Sequence, residues 1–134
     1  MRDRFAQAGL AYDRGDVVPN TRLALRLTEL AREHDLHEPF HDRLMRAYWE
    51  ERADIGDPDE LRRLAAEVGL PPDAVEHTIA DGDAYLDLVL DSTRQAQSIG
   101  VNGIPAFLLD RRLLVLGAQP FEVFEQAFAQ LEPA

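Results

Sequence analysis

The chain has 134 residues, a formal charge of −11 and an apolar fraction near one half. That length suits one domain with a core of useful size, and the charge argues against nucleic-acid binding, which requires a basic face. Cysteine is absent, so these residues can supply no thiolate for disulfide exchange, no disulfide staple and no thiolate metal site.

All fourteen basic residues are arginine, scattered along predicted helices, a pattern of solvated ion pairing rather than of a binding patch. No apolar run approaches the ~20 residues a membrane span requires. The polar start Met1-Arg2-Asp3-Arg4 lacks a signal-peptide pattern. A cytoplasmic protein without membrane contact is expected.

In chain order, residues 2–9 suit a short helix, and Leu10-Ala11-Tyr12-Asp13 a short extended piece. Val17 and Val18 continue extended, because the residue before Pro19 avoids the helical region. Asn20 or Thr21 can cap a helix to about Glu33, with Leu23, Leu27, Leu30 and Ala31 inward and Arg22, Arg26 and Glu29 outward. His34 to His37 reads as a turn. A helix from about Pro39 to Arg52 follows, with Phe40, Leu44, Ala47 and Tyr48 on one face and Trp49 beside it.

Asp57-Pro58-Asp59-Glu60 is a strong helix start, with Asp57 as cap and Glu60 placed to close a capping box. Leu61, Leu64, Ala65 and Val68 form its apolar stripe, and Gly69 ends it. Pro71-Pro72-Asp73 opens a short helix carrying Ala74, Val75 and Ile79, and Asp81-Gly82 turns the chain. The longest helix is expected from about Ala84 to Ile99, with Leu86, Val89, Leu90, Thr93, Ala96 and Gln97 inward and Gly100 closing it.

The stretch Gly100 to Phe124 reads GVNGIPAFLLDRRLLVLGAQPFEVF. Two short apolar runs, Ala106–Leu109 and Leu113–Leu116, flank the charged break Asp110-Arg111-Arg112, which is the pattern of a β-hairpin. A last helix from about Pro120 to Leu131 should bury Phe121, Phe124, Ala127, Phe128 and Leu131. The bond before Pro105 can be trans, the common state for an arbitrary X-Pro bond, or cis, with the Ile104 backbone offered to an extended ligand.

The motif GVNGIPAF, then a hairpin, then GAQP and an amphipathic helix, resembles the C-terminal end of the DsbA-like thioredoxin family. The nearest branch is the FrnE-like one, beside 2-hydroxychromene-2-carboxylate isomerases and kappa-class glutathione transferases. VVPNTRLALRL is similar to the FrnE-like segment in which an Asn-Thr pair opens the first inserted helix. The resemblance implies a helix-rich α/β fold, a partial thioredoxin-like architecture in one domain over residues 1–134. The helical insertion would cover about 20–99, and the hairpin and final helix 100–134. It also implies a cis Pro105 facing the active site, with Ile104 and Pro105 as the substrate- or glutathione-binding residues.

The family's role is thiol-disulfide oxidoreduction through a C-x-x-C motif at the first helix. That opening strand–motif–helix–strand unit has no counterpart here, so the chain reads as a truncated relative, redox-inactive by itself, with no catalytic residue and no cofactor. Two other readings stand beside it. One is a non-catalytic protein-binding or assembly module. The other is a remnant of a glutathione-dependent isomerase or transferase, although Ser92 and Ser98 lie far from the position such enzymes use.

A lone hairpin leaves backbone groups unpaired along both edges and is marginal in water. Three repairs are open: Leu10–Asp13 pairs with it, helices cover it, or a second copy docks. A homodimer through the hairpin edge or the adjacent apolar surface is expected, with a peptide or glutathione as further partners. Other chemistries are weaker. His34, His37 and His41, with Glu33, Glu38 and Asp42, could hold a metal, but a helix beginning at Pro39 would separate His37 from His41. Neither serine lies in a G-x-S-x-G elbow, no Gly-rich phosphate loop occurs, and the acidic pairs lie on solvated faces. Tyr48, Trp49, Phe121, Phe124 and Phe128 fall at helical spacing and read as core.

Overall fold

The computed structural model describes residues 2–13 and 15–131. Seven helices and one hairpin follow in the order α1 (Arg2–Gln7), α2 (Arg22–Glu33), α3 (His37–Glu50), α4 (Pro58–Glu67), α5 (Pro72–Ala80), α6 (Leu86–Ser98), β1 (Ala106–Leu109), β2 (Leu113–Leu116) and α7 (Phe121–Leu131). The chain forms two compact units, Met1–Leu90 and Asp91–Ala134, and the division falls within α6.

The first unit is a helical bundle. Leu27, Leu30 and Ala31 of α2, Phe40, Leu44 and Ala47 of α3, and Leu61, Leu64 and Ala65 of α4 are buried together with Ile55, Leu70 and Val75. These are the apolar stripes the helical period selects, and packing them is what stabilises helices too short to persist alone. Asp57 caps α4 by accepting from the Asp59 amide at 3.0 Å. Glu60 does not close the expected box: it pairs with Arg63, and the Asp57 amide goes to Asp54 O at 3.0 Å. An exposed ion pair one turn along the helix has displaced the capping contact.

Before α2, the Asn20 side chain accepts from the Arg22 amide at 3.1 Å. Gly56 packs against this entry: a Cβ there would lie 3.0 Å from Asn20 N and 3.1 Å from Asn20 O. Leu10–Asp13 is not a strand, and the Asp13 amide donates to Trp49 O at 2.7 Å. Phe5, Tyr12 and Trp49 form an aromatic cluster, with centroid separations of 4.9 to 6.0 Å, that ties α1 to α3.

Arg26 departs from its expected outward place. It is 6% exposed. Its guanidinium donates to the carbonyls of Ala84 (2.6 Å), Thr78 and Asp81. Three carbonyls at the end of α5 and in the following turn offer what a buried fork of donors requires. On the surface, Arg43 joins Glu51 and Glu67, and Arg62 joins Asp59 and Glu76.

In the second unit, β1 and β2 pair antiparallel with Ala106 opposite Leu116, Phe107 opposite Val115, Leu108 opposite Leu114 and Leu109 opposite Leu113. Asp110 and Arg111 have φ of 49° and 54°, the left-handed pair that a tight hairpin turn demands. Phe107 meets Phe124 of α7 edge-on at 4.9 Å.

The burial expected of this unit is not observed. Only Val115 (8% exposed) and Ala127 (4%) are buried there among the described residues. Phe121 is 72% exposed and Phe128 55%, while Phe124 and Leu131 are half-buried. No residue of α6 is buried, and Leu90, Thr93 and Gln97 are exposed. α6 has 13 residues and α3 has 14, so α6 is not the longest helix. The apolar pattern is real, but a two-stranded sheet covers too little surface to bury it.

Candidate binding site

Ile104 and Pro105 stand directly before β1, and the peptide bond between them is cis. Ile104 is 93% exposed. The approach is set from behind by the end of α6, where the amides of Gly100 and Val101 return to Gln97 O (3.1 Å) and Ala96 O (3.0 Å). These bonds satisfy orphan carbonyls at the helix end and fix where the chain departs. Asn102, Gly103, Ile104 and Pro105 are all exposed.

The hydrogen-bond phase of the hairpin follows from one contact. Pro105 O accepts from the Gly117 amide at 2.8 Å. In an antiparallel ladder bonded pairs alternate with unbonded ones. Phe107–Val115 and Leu109–Leu113 are therefore the bonded pairs. Ala106 and Leu108 turn their N–H and C=O groups to the outer edge of β1, where no third strand pairs among the described residues. Among the described residues the site is thus an unpaired strand edge preceded by an exposed Ile-Pro dipeptide.

Opposite pleats of β1 face different neighbours. Phe107 faces α7 through Phe124. Leu108 and Leu114 line a cavity of about 770 Å³ with Ser92, Ala96 and Ile99 at the α6 end and with Arg111 and Arg112 of the hairpin turn. The sequence reading missed this cavity, because it placed the inner side of α6 in a packed core. The signal available was the pair of arginines at the hairpin turn. Arg112 is held 3.6 Å from Asp110.

The titratable groups with displaced pKa values lie in the first unit. Hydrogen bonds from Arg63, Arg43 and Arg62 hold the carboxyls of Glu60, Glu67 and Glu76 below the usual carboxylate range. The Tyr85 hydroxyl donates to Glu33 at 2.6 Å, which pushes its pKa up to about 12.

His37 and His41 do share a face, because α3 begins at His37 rather than at Pro39. Their rings stack at 6.1 Å. Pro39 is accommodated in the first turn, where its missing N–H costs no hydrogen bond. His34 does not join them, and no group of three or more potential metal ligands occurs among the described residues. His77 is exposed. No helix among the described residues is long and apolar enough to cross a membrane.

Residues 4–129 match the family model of the DSBA-like thioredoxin domain. The structure is similar to the crystal structure of the probable DsbA oxidoreductase SCO1869 from Streptomyces coelicolor. The TM-score is 0.86 at 39% identity, over 96% of this chain and 56% of that one. The uncharacterized protein YwbO of Bacillus subtilis is 28% identical over 112 residues, 83% of this chain and 55% of the relative. The chain spans little more than half the length of each.

Proposed function

Because the chain belongs to the DSBA-like thioredoxin family, we propose that it serves the peptide- or glutathione-binding side of thiol-disulfide chemistry in an FrnE-like setting. Ile104 and Pro105 present the contact surface. The observation that carries this reading is the exposure of Ile104, at 93%, directly ahead of a strand whose outer backbone edge is unpaired among the described residues. An extended peptide gains main-chain hydrogen bonds by lying along such an edge, and side-chain pockets then select among peptides.

These residues include no cysteine, so the redox step itself falls to thiols outside them. By themselves they act as a binding module. Amide chemical shifts during titration with oxidised glutathione, and separately with an extended apolar peptide, test the reading. Changes centred on residues 102–106 are expected, together with background rates in a thiol-oxidase assay. Saturating titrations of both ligands without a shift in that segment would overturn the binding role, and oxidase activity above background would overturn the assignment of the redox step.

A further inference from the structure

We propose that Asn102 is a site of spontaneous covalent modification: its side-chain amide is lost to attack by the Gly103 backbone nitrogen, and the loop before Ile104 gains a carboxylate. This goes beyond the ligand reading above and rests neither on it nor on the strand edge. Asparagine followed by glycine brings a carboxamide carbon within reach of the next backbone nitrogen, where bond formation closes a succinimide ring. Glycine leaves that nitrogen open, because no Cβ stands beside it. Holding the two groups on adjacent residues makes the attack a unimolecular step.

The chain has two asparagines, Asn20 and Asn102, and both are exposed, so exposure does not separate them. Local structure does. Asn20 leads into α2, its side chain accepts from the Arg22 amide at 3.1 Å, and its backbone packs against Gly56. The next residue is Thr21, whose branched Cβ crowds the nitrogen that would attack. Asn102 and Gly103 lie between α6 and β1, after the Val101 amide has returned to Ala96 O at 3.0 Å. Among the described residues neither the Asn102 side chain nor the Gly103 amide has a hydrogen-bond partner. An amide outside the helix and strand ladders can turn towards the preceding side chain without breaking a bond.

The step balances with water as its co-reactant. Hydroxide takes the Gly103 N–H proton, the nitrogen bonds to Asn102 Cγ, and the Cγ–Nδ2 bond breaks as ammonia leaves. Water then opens the succinimide at either carbonyl, giving aspartate or its isoaspartyl form, and nothing is oxidised or reduced. Both products add a negative charge to a chain already at −11. The isoaspartyl product also puts an extra methylene into the backbone just ahead of Gly103. Asp81-Gly82 offers the same spacing with a carboxylate, a poorer electrophile, and Asp81 Oδ1 accepts from the Asp83 amide at 3.0 Å. Ring closure is expected to be slower there.

Incubation of the unmodified chain at mildly alkaline pH, followed by trypsin, isolates Asn102 in the peptide 95–111 and Asn20 in the peptide 15–22, because cleavage after arginine brackets both. Fragment masses locate the change, and a protein isoaspartyl methyltransferase counts the isoaspartyl product. A synthetic peptide of residues 99–105 sets the rate of an unrestrained Asn-Gly pair. By the time this peptide has fully reacted, Asn102 is expected to have converted in most chains, with Asn20 intact and ammonia released one for one. The rate should rise with hydroxide concentration. Gly103→Ala, whose added Cβ would meet no atom within 4 Å, should keep the fold and slow the conversion about tenfold or more. Asn102 retained in most chains at that time, Asn20 reacting as fast, or a Gly103→Ala chain converting at an unchanged rate would each overturn the proposal.

Discussion

Arg26 Nε donates to the Ala84 carbonyl at 2.6 Å, tying the second helix to the turn 58 residues downstream. The same guanidinium takes the Thr78 and Asp81 carbonyls, so one side chain closes the polar end of α5. Among the described residues no buried side-chain nitrogen or oxygen lacks a partner. Replacing Arg26 by Leu strands these carbonyls and should cost about 3 kcal/mol of stability. Arg26→Lys keeps the charge without the fork and should recover only part of it. Urea denaturation of the three chains measures the difference.

Tyr85 gives the first unit an alkaline limit. Its folded pKa is raised by the hydrogen bond to Glu33, to about 12 against an ordinary 10.0. A raised pKa means that the contribution is whole below the unfolded value. It is lost as pH climbs from about 10 to about 12. Thermal melting across that window should show the loss in the native chain and lack that component in Tyr85→Phe, which is itself less stable at neutral pH by about 1 kcal/mol.

The acid side has the opposite sign. Glu60, Glu67 and Glu76 are held below the ordinary 4.5 by arginine partners. Their contribution is present above about pH 4.5 and disappears as pH falls through the lowered folded values. All three pairs meet water, so salt should shrink the effect. The urea midpoint is expected to drop between about pH 5 and about pH 2, and to drop less in about 1 M sodium chloride.

The contact of Phe124 with Phe107 is an aromatic pair that joins α7 to the hairpin. Phe124→Ala should lower the stability of the second unit by roughly 1–2 kcal/mol, less than a fully buried phenylalanine would lose. Arg26→Leu should instead act on the first unit. Residue-resolved hydrogen exchange separates the two effects.

The sequence was most legible where punctuation and period agreed. Asp57-Pro58 and Gly69 bracket α4 as read, and the hairpin strands fall on Ala106–Leu109 and Leu113–Leu116 with the turn between them. The GVNGIPAF motif led to a family that the comparisons show. Arg26 is not legible in this way, because helical period assigns a side chain to a face without revealing the carbonyls waiting there. His37 falls outside the expected helix because a proline reads as its start, whereas Pro39 sits in the first turn of α3. The phenylalanines of α7 were assigned to a core because amphipathicity reports a face in need of cover. It does not report what supplies that cover.

The peptide-binding reading turns on the outer edge of β1 next to Ile104 and Pro105, and amide hydrogen exchange at two neighbouring residues tests it. Phe107 N–H points to β2 and Leu108 N–H to the open edge. At micromolar concentration Phe107 should be protected and Leu108 should exchange at close to the free-peptide rate. On saturation with the extended apolar peptide Leu108 should become protected as well. Equal protection of the two amides without peptide, or no change at Leu108 when peptide saturates, would contradict the account.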